Sequence, residues 1–271
     1  RPETAYVLER LFDQGAAAFG IGRDEIRRRN YIRPDQIPYK NVAGNVIDSG
    51  RFAETQDMAM KLADWDGFAA RRADAAKRGK LRGIGLGYFI EASGGQPFEW
   101  ARVALTPEGR AKLTVGTFSH GQGHETAFAQ ILSEKLGLPF DAIDLIQGDS
   151  DVVVKGGGTG GSRSSQMGGV ATSRAATMVV EKAKRIAAHL MEASVDDIEF
   201  DRGTFRVAGT DKTKALVDIS VAAYVPHNYP IEELEPGLEE TAFYDPKNFT
   251  YPGGRSEERR VGKECLRLCR S

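Results

Sequence analysis
The sequence predicts an α+β fold: mixed sheets with packed helices, joined by glycine-rich loops. Apolar residues recur at helical spacing through most of residues 1–79. From Leu81 short alternating runs take over, separated by helical segments, as expected of strands mixed with helices. The third observation is glycine: the chain holds 31, and five of them fall within residues 156–161.

The elements follow in order. Pro2 and Glu3 suit a helix start, because proline fits the first helical position and an acid complements the dipole. Ala5, Leu8, Leu11 and Phe12 then share one face, and Gly20 or Gly22 ends the helix. A basic helix over residues 24–30 follows, and its Arg27-Arg28-Arg29 run reads as a solvated helix end. Residues 32–50, with Pro34 and Pro38, read as an extended connector. Asp48 and Ser49 offer caps for a helix over 52–63, and a charged helix over 67–78 stops at Gly79. Strand patterns cover 84–90, 101–105, 112–118, 143–146, 198–200, 204–207 and 239–244. Pro107-Glu108-Gly109 and Arg202-Gly203 supply turns. Helices are predicted over 126–136, stopped by Gly137 and Pro139, and over the alanine-rich stretch 166–193. Helical character gives way to mixed structure near residues 77–81.

Of the 271 residues 41% are hydrophobic and 28% charged, which excludes collagen-like, disordered and disulfide-scaffold classes. The 37 basic and 38 acidic residues leave a net charge of −1, so no broad field for nucleic acid is expected. No apolar run approaches the roughly 18 residues of a membrane span. The chain opens without Met or a signal-peptide pattern, and residues are expected upstream. Its two cysteines are Cys265 and Cys269; a long cysteine-free stretch suits a reducing cytoplasm. Residues 255–271 carry six basic and three acidic side chains and have no clear amphipathic period. Their opening resembles the translation of a sequencing adapter, so this stretch is expected to be a non-native tail.

Two glycine loops carry the chemistry. In the first, residues 119–126, Gly121 and Gly123 let backbone approach a ligand, and Gln122 between them can donate and accept. The free N–H groups of the following helix start favour an anion. His124 and Thr126 complete this candidate set. His124-Glu125 begins a zinc-protease pattern, but Phe128 stands where its second histidine belongs. His120 and His124 are separated by two glycines that oppose a common helical face, so no protein metal site is expected.

The second loop runs Gly156-Gly157-Gly158-Thr159-Gly160-Gly161-Ser162-Arg163-Ser164-Ser165. So many glycines are costly to order, and they persist where backbone must pass close to something. Ser162, Ser164 and Ser165 are candidate caps for the long helix, and Arg163 adds a positive charge where N–H groups point outward. Together they predict a phosphate or pyrophosphate cradle. No Lys follows Gly161, so the P-loop pattern fails. The dinucleotide fingerprint GxGxxG is met by Gly156, Gly158 and Gly161, with Glu181 about 20 residues on. The strand that should run into Gly156 is only Val152-Val153-Val154, broken by Lys155. An NAD-binding oxidoreductase therefore stands as an alternative, and a non-catalytic anion-binding module as a third reading.

With both loops in view, the chain resembles the molybdenum-binding large subunits of the xanthine dehydrogenase/aldehyde oxidase family, nearest to the carbon-monoxide-dehydrogenase-like branch. The resemblance rests on GQGHETAFAQI (121–131), QGDSD (147–151), GGGTGGSRSSQMGG (156–169), RPETAYVLERL (1–11), RRRN (27–30), RGIGLGYFIEASGG (82–95) and NFTYP (248–252). These motifs are individually short, but they recur in family order across nearly all of residues 1–254. The resemblance implies part of a two-part molybdenum-cofactor-binding domain. Residues 1–79 would end the first cofactor-binding domain and 80–254 would form an incomplete second, with 255–271 the non-native tail.

The implied cofactor is molybdenum–molybdopterin cytosine dinucleotide, its metal held by the pterin dithiolene rather than by protein thiolates. The resemblance puts Gly121, Gln122 and Gly123 on one cofactor loop. It puts Gly158, Thr159, Gly160, Gly161, Ser162, Arg163, Ser164 and Ser165 on another. Family chemistry hydroxylates a small substrate (an aldehyde, a purine or other N-heterocycle, or CO) with water-derived oxygen. Electrons leave through a 2Fe-2S small subunit and an FAD-binding medium subunit, in a dimer of heterotrimers. The family's general base is a glutamate in a glycine-rich segment expected downstream of residue 254. Glu239 and Glu240 lack that motif, so no catalytic residue is assigned here. The substrate-shaping loop is expected before Arg1, and Arg1-Pro2-Glu3 resembles its edge in relatives lacking the reactive cysteine of CO oxidisers. The polypeptide as written is expected to be inactive, because a base must reach its proton within hydrogen-bond distance.

Overall fold
The computed structural model describes residues 2–94, 98–225, 227–251 and 253–255. They fall into two compact units, one running to Ala92 and resuming at Asn248, the other from Ser93 to Lys247.

The first unit begins with α1 (Pro2–Phe19) and α2 (Arg23–Arg29). A two-stranded hairpin of β1 (Tyr39–Lys40) and β2 (Val46–Ile47) follows, then α3 (Phe52–Leu62), α4 (Phe68–Lys77) and β3 (Tyr88–Ile90). Three expectations are corrected here. Arg27 is not a solvated helix end: it is 1% exposed, and its guanidinium meets Glu9 at 2.7 Å and Asp13 at 2.9 Å. Those acids stand four residues apart on α1, on one face, and close around the α2 cation. Asp48 and Ser49 do not cap α3, whose N-cap is Arg51 with no side-chain bond. The strand expected over 84–90 shortens to β3, which pairs over three residues among the described ones. The apolar stripe of α1 is also largely uncovered, with Leu8 and Leu11 both more than half exposed.

The second unit is built on a four-stranded sheet. Its strands are β4 (Glu99–Leu105), β5 (Ala111–Val115), β6 (Ile143–Ile146) and β10 (Glu239–Tyr244), in the order β10-β4-β5-β6. Only β5 and β6 are parallel; the other pairs are antiparallel. The β5–β6 crossover is α5 (His124–Leu136), and α6 (Gly169–Met191) lies beside it against β4 and β10. Ala101, Val103 and Leu105 of β4 and Leu113 and Val115 of β5 are fully buried with Leu132 and Leu136 of α5. Small residues on α6, among them Ala171, Ala175, Ala176, Ala183 and Ala187, let this helix of about 34 Å settle close into the same core. Gly137 ends α5 at φ +70°, and a side chain there would collide with the backbone of Arg202 and Gly203.

A second sheet joins β7 (Ile198–Asp201), β8 (Thr204–Val207) and β9 (Thr213–Ala215), with α7 (Leu216–Tyr224) after it. The β7–β8 turn holds Arg202 at φ +44° and Gly203 at φ +81°, the left-handed pair that a tight hairpin needs. The sequence reading did not find β9 or α7. The run Leu216-Val217-Asp218-Ile219 is as rich in β-branched residues as a strand, and burial of Leu216, Ile219 and Ala223 decides for helix. After β10 the chain returns to the first unit, where β11 (Gly253–Arg255) pairs antiparallel with β3. Arg255 thus belongs to a strand; the rest of the expected tail, with both cysteines, lies outside the described residues.

Leu132→Ala should lower the stability of the second unit by about 3 kcal/mol through the cavity left in a closed core. Leu8→Ala, on the uncovered face of α1, should change stability by less than about 0.5 kcal/mol. Urea unfolding curves of the two variants check both.

Candidate functional site: two glycine loops at the end of the sheet
The first loop leaves β5 at Gly116 and enters α5 at His124. Gly121 sits at φ +92° and Gly123 at φ +76°, so the turn is left-handed at both glycines. A side-chain carbon on either would meet open space. The Gln122 Oε1 accepts from the His120 N–H, which folds the loop onto itself and leaves the Gln122 NH2 as a donor. No side chain caps α5, so its first N–H groups are open to an acceptor. His124 is buried, its Nδ1 3.2 Å from Gln147 Oε1 and its ring 5.3 Å from that of Phe128. It therefore anchors the helix start, while Thr126, two residues on, is exposed.

The second loop is strapped to the first. Gly158 N–H donates to Gly116 O at 3.2 Å, and Gly94 N–H donates to Gly161 O at 2.8 Å. Phe118 N–H donates to Thr159 Oγ1 at 3.1 Å, and the same hydroxyl donates to Phe118 O. Ser164 Oγ lies 3.1 Å from Thr159 Oγ1. Gly158 and Gly161 have φ of +67° and +61°, and Ser162 shares this left-handed region at +56°. Gly158 and Gly160 would carry a side-chain carbon into open space, as Gly121 and Gly123 would. Gly116 and Gly156 differ: a carbon on Gly116 would lie 2.7 Å from the Gly156 Cα. There the glycines serve contact between backbones.

Two readings of this loop are corrected. The serines do not cap the long helix. A π-helical turn, Ser164–Gly168, precedes α6, whose N-cap is Gly168 without a side-chain bond. Ser164 is turned onto Thr159, and Ser165 is exposed. Arg163 is not an outward-facing charge. It is 2% exposed, its Nη2 donating to Phe98 O at 2.6 Å and lying 3.1 Å from Glu99 Oε2. Glu99, at 1% exposure, takes the Trp100 N–H on Oε1 at 3.0 Å. Glu99 Oε2 and Arg163 Nε make no well-directed hydrogen bond, so the contact is an ion pair rather than a fork. Burial pushes the Glu99 carboxyl above its ordinary range; the Trp100 N–H and the Arg163 charge offset this only in part. Sequence reasoning missed Glu99 because its partner lies 64 residues away. Its one signal is an acid beside Trp100 at the start of a buried strand.

The NAD alternative loses its geometry. No strand runs into Gly156, the sheet is mostly antiparallel, and Glu181 lies within α6 rather than at a strand end. Among the described residues no three His, Cys, Asp or Glu side chains come together to hold a metal ion. Glu239 and Glu240 lie at the start of β10, at an edge of the sheet. A molybdopterin group fits the loops. Open glycines line both, α5 presents an uncapped N-terminus, and Thr117 and Gln166, which adjoin the loops in sequence, have buried oxygens without hydrogen-bond partners.

Arg163→Met should cost about 3 kcal/mol, because it leaves a buried carboxylate without its counter-charge. Adding Glu99→Met should restore most of that loss, as a thermal-unfolding double-mutant cycle would read. A carboxyl raised on folding stabilises below its ordinary 4.5, and the benefit is lost as pH rises through the folded value. The stability of the wild type relative to Glu99→Gln should therefore fall as pH climbs above 4.5.

Comparison with known proteins places the chain in a family. The carbon monoxide dehydrogenase large chain of Hydrogenophaga pseudoflava is 37% identical over 268 residues, covering 93% of this chain and 33% of that one. The solved CO dehydrogenase from Oligotropha carboxidovorans superposes with a TM-score of 0.80 at 36% identity, over 93% of this chain and 33% of that one. Quinoline 2-oxidoreductase from Pseudomonas putida 86 gives a TM-score of 0.80 at 31% identity, over 93% and 34%. The chain thus spans about a third of the length of the relatives it matches. The family model of the molybdopterin cofactor-binding domain matches residues 58–261, a stretch that includes both glycine loops, and the chain belongs to that family.

Proposed function
We propose that this chain is part of the catalytic large subunit of a molybdenum hydroxylase and holds the dinucleotide end of molybdopterin cytosine dinucleotide between its two glycine loops. The observation that carries this reading is the strapping of the loops at Phe118 and Thr159 beside the uncapped start of α5. Gly121, Gln122 and Gly123 offer one wall, with backbone N–H groups and the Gln122 amide as donors. Gly158, Thr159, Gly160, Gly161 and Ser162 offer the other. Thr126 lies at the rim, His124 and Ser164 support the walls from behind, and Ser165 is exposed beside the second. When bound, the group supplies two-electron oxidation of a substrate carbon with oxygen taken from water. This chain's residues bind and orient it.

The whole protein would oxidise a small molecule: an aldehyde, an N-heterocycle or CO. The relatives named above include both a CO dehydrogenase and a quinoline oxidoreductase, so relatedness alone does not choose among substrates. Electrons would pass to an iron–sulfur small subunit and an FAD-binding medium subunit in a cytoplasmic dimer of heterotrimers. The absence of a cysteine before position 265 suits a reducing compartment. No described helix is long and apolar enough to cross a membrane. The general base would come from sequence beyond this chain, which we expect to be inactive alone.

The test is to purify the chain from a bacterium that makes the cofactor and assay released pterin and cytidine monophosphate. Both should appear in equal amounts. Gly160→Val, which fills open space without strain, should lower retention about tenfold, or about 1.4 kcal/mol, and leave the melting temperature unchanged. Folded chain carrying neither pterin nor cytidine would overturn the cofactor reading. Dye reduction with an aldehyde or purine by the chain alone would overturn the expectation of inactivity.

A further inference from the structure
We propose that Glu99 and Arg163 form an internal strut that holds the second glycine loop in shape for the diphosphate of the cofactor. Glu99 is then a positioning residue, and Arg163 acts on the loop rather than on the phosphate. This rests on the molybdopterin reading above and deepens it.

The first support is where the guanidinium points. Its Nη2 is shared between the Phe98 carbonyl at 2.6 Å and Glu99 at 3.1 Å. Its Nη1 lies directly beneath Gly157, where a side-chain carbon would come within 2.8 Å of it. The side chain is sealed from solvent, and only its Nε lacks a hydrogen-bond partner or close contact with protein. The loop is thus built upon Arg163, with Gly157 resting on the cation.

The second support is the stacking of small contacts around the pair. A side-chain carbon on Gly116 would lie 2.5 Å from Glu99 Oε1 and 2.7 Å from Gly156 Cα. Glu99, Gly116, Gly156, Gly157 and Arg163 therefore form one packed column, with no room for an added methyl at either Gly116 or Gly157. The hydrogen bonds at Gly158, Thr159 and Gly161 tie the rest of the loop to residues 94 and 116–118. Among the described residues, the amides of Gly157 and Gly160 donate to no backbone carbonyl. A loop with a fixed floor and unclaimed amides is preorganised to accept an anion.

The third support is energetic. A buried ion pair is a weak source of stability, since desolvation offsets most of the attraction, and apolar replacements are often neutral. Stability therefore does not explain a pair at this position, and geometry does. Glu99 also cancels the Arg163 charge, so attraction for a diphosphate rests on oriented amides at short range.

The two roles for Arg163 predict opposite signs. Cytidine diphosphate would be titrated by calorimetry into the full chain and into Glu99→Ala, Glu99→Gln and Arg163→Lys. Hydrogen exchange over residues 156–163 and melting temperatures would be followed in parallel. A strut predicts that Glu99→Ala raises the Kd about fivefold and speeds loop exchange. Glu99→Gln, which keeps the shape and an acceptor, should stay within about twofold of wild type. Arg163→Lys keeps the charge but cannot span Phe98, Glu99 and Gly157 together, and should weaken binding like Glu99→Ala. A direct phosphate contact predicts the reverse: freeing Arg163 from Glu99 tightens binding, and Arg163→Lys binds nearly as well as wild type. Either of those results overturns the strut. If Glu99→Ala does not fold, Arg163→Lys against Glu99→Gln decides. If wild-type chain does not bind cytidine diphosphate, the cofactor reading fails on that readout. Loop exchange then decides the strut alone: faster exchange in Arg163→Lys but not in Glu99→Gln supports it, and no difference between them overturns it.

Discussion
The site depends on one close approach. Gly116, at the end of β5, and Gly156, at the start of the second loop, meet backbone to backbone with no space for a side chain on either. This contact lets the Gly158 N–H reach the Gly116 carbonyl, which in turn sets Thr159 against Phe118. The two loops are far apart in sequence and become one cradle only because two residues without side chains stand at their crossing. Glycine elsewhere in the loops serves a different need. At Gly121, Gly123, Gly158 and Gly160 the space beside the backbone is open, and three of these four also hold a left-handed φ.

The scaffold beneath explains how such loops can be held. Parallel β5 and β6 joined by α5 put one loop at the carboxyl end of a strand and the amino end of a helix. That is where open amides collect in α/β units. α6 begins after the second loop and buries its alanine-rich face against β4 and β10. The first loop is therefore anchored to packed elements at both ends and the second is followed by the α6 helix, and the conformational cost of ordering many glycines is met by the core beside them.

Charge is handled by the same logic in both units. Arg27 is enclosed by Glu9 and Asp13, and Arg163 by Glu99 and the Phe98 carbonyl. Each buried guanidinium ties together elements that local sequence does not connect. In the first unit the link joins two helices; in the second it joins a strand to a glycine loop. A buried cation costs desolvation unless its partners are in place, so these links favour one arrangement over near alternatives more than they add stability.

Much of the fold was legible from the chain itself. Periodicity placed α1, α3, α4, α5 and α6 within a few residues, and alternation placed β4, β5, β6, β7, β8 and β10. The reason is that solvent exposure imposes its period on each segment locally. The two loops were also legible, because repeated glycine before a helix has few other uses. What the sequence could not decide were the contacts between distant segments. The serines read as helix caps and Arg163 read as a phosphate ligand, since both assignments are right for an isolated loop. Tertiary structure turned Ser164 onto Thr159 and Arg163 onto Glu99, because a polar or charged group taken out of water is costly unless a partner meets it. Likewise Leu216 to Tyr224 became helix through burial against a core that only the folded chain creates. The sequence by itself determined most of the helices and strands and the position of the two glycine loops. Packing decided which loop positions stay open and which side chains hold the loops from within, because those contacts join segments distant in the chain.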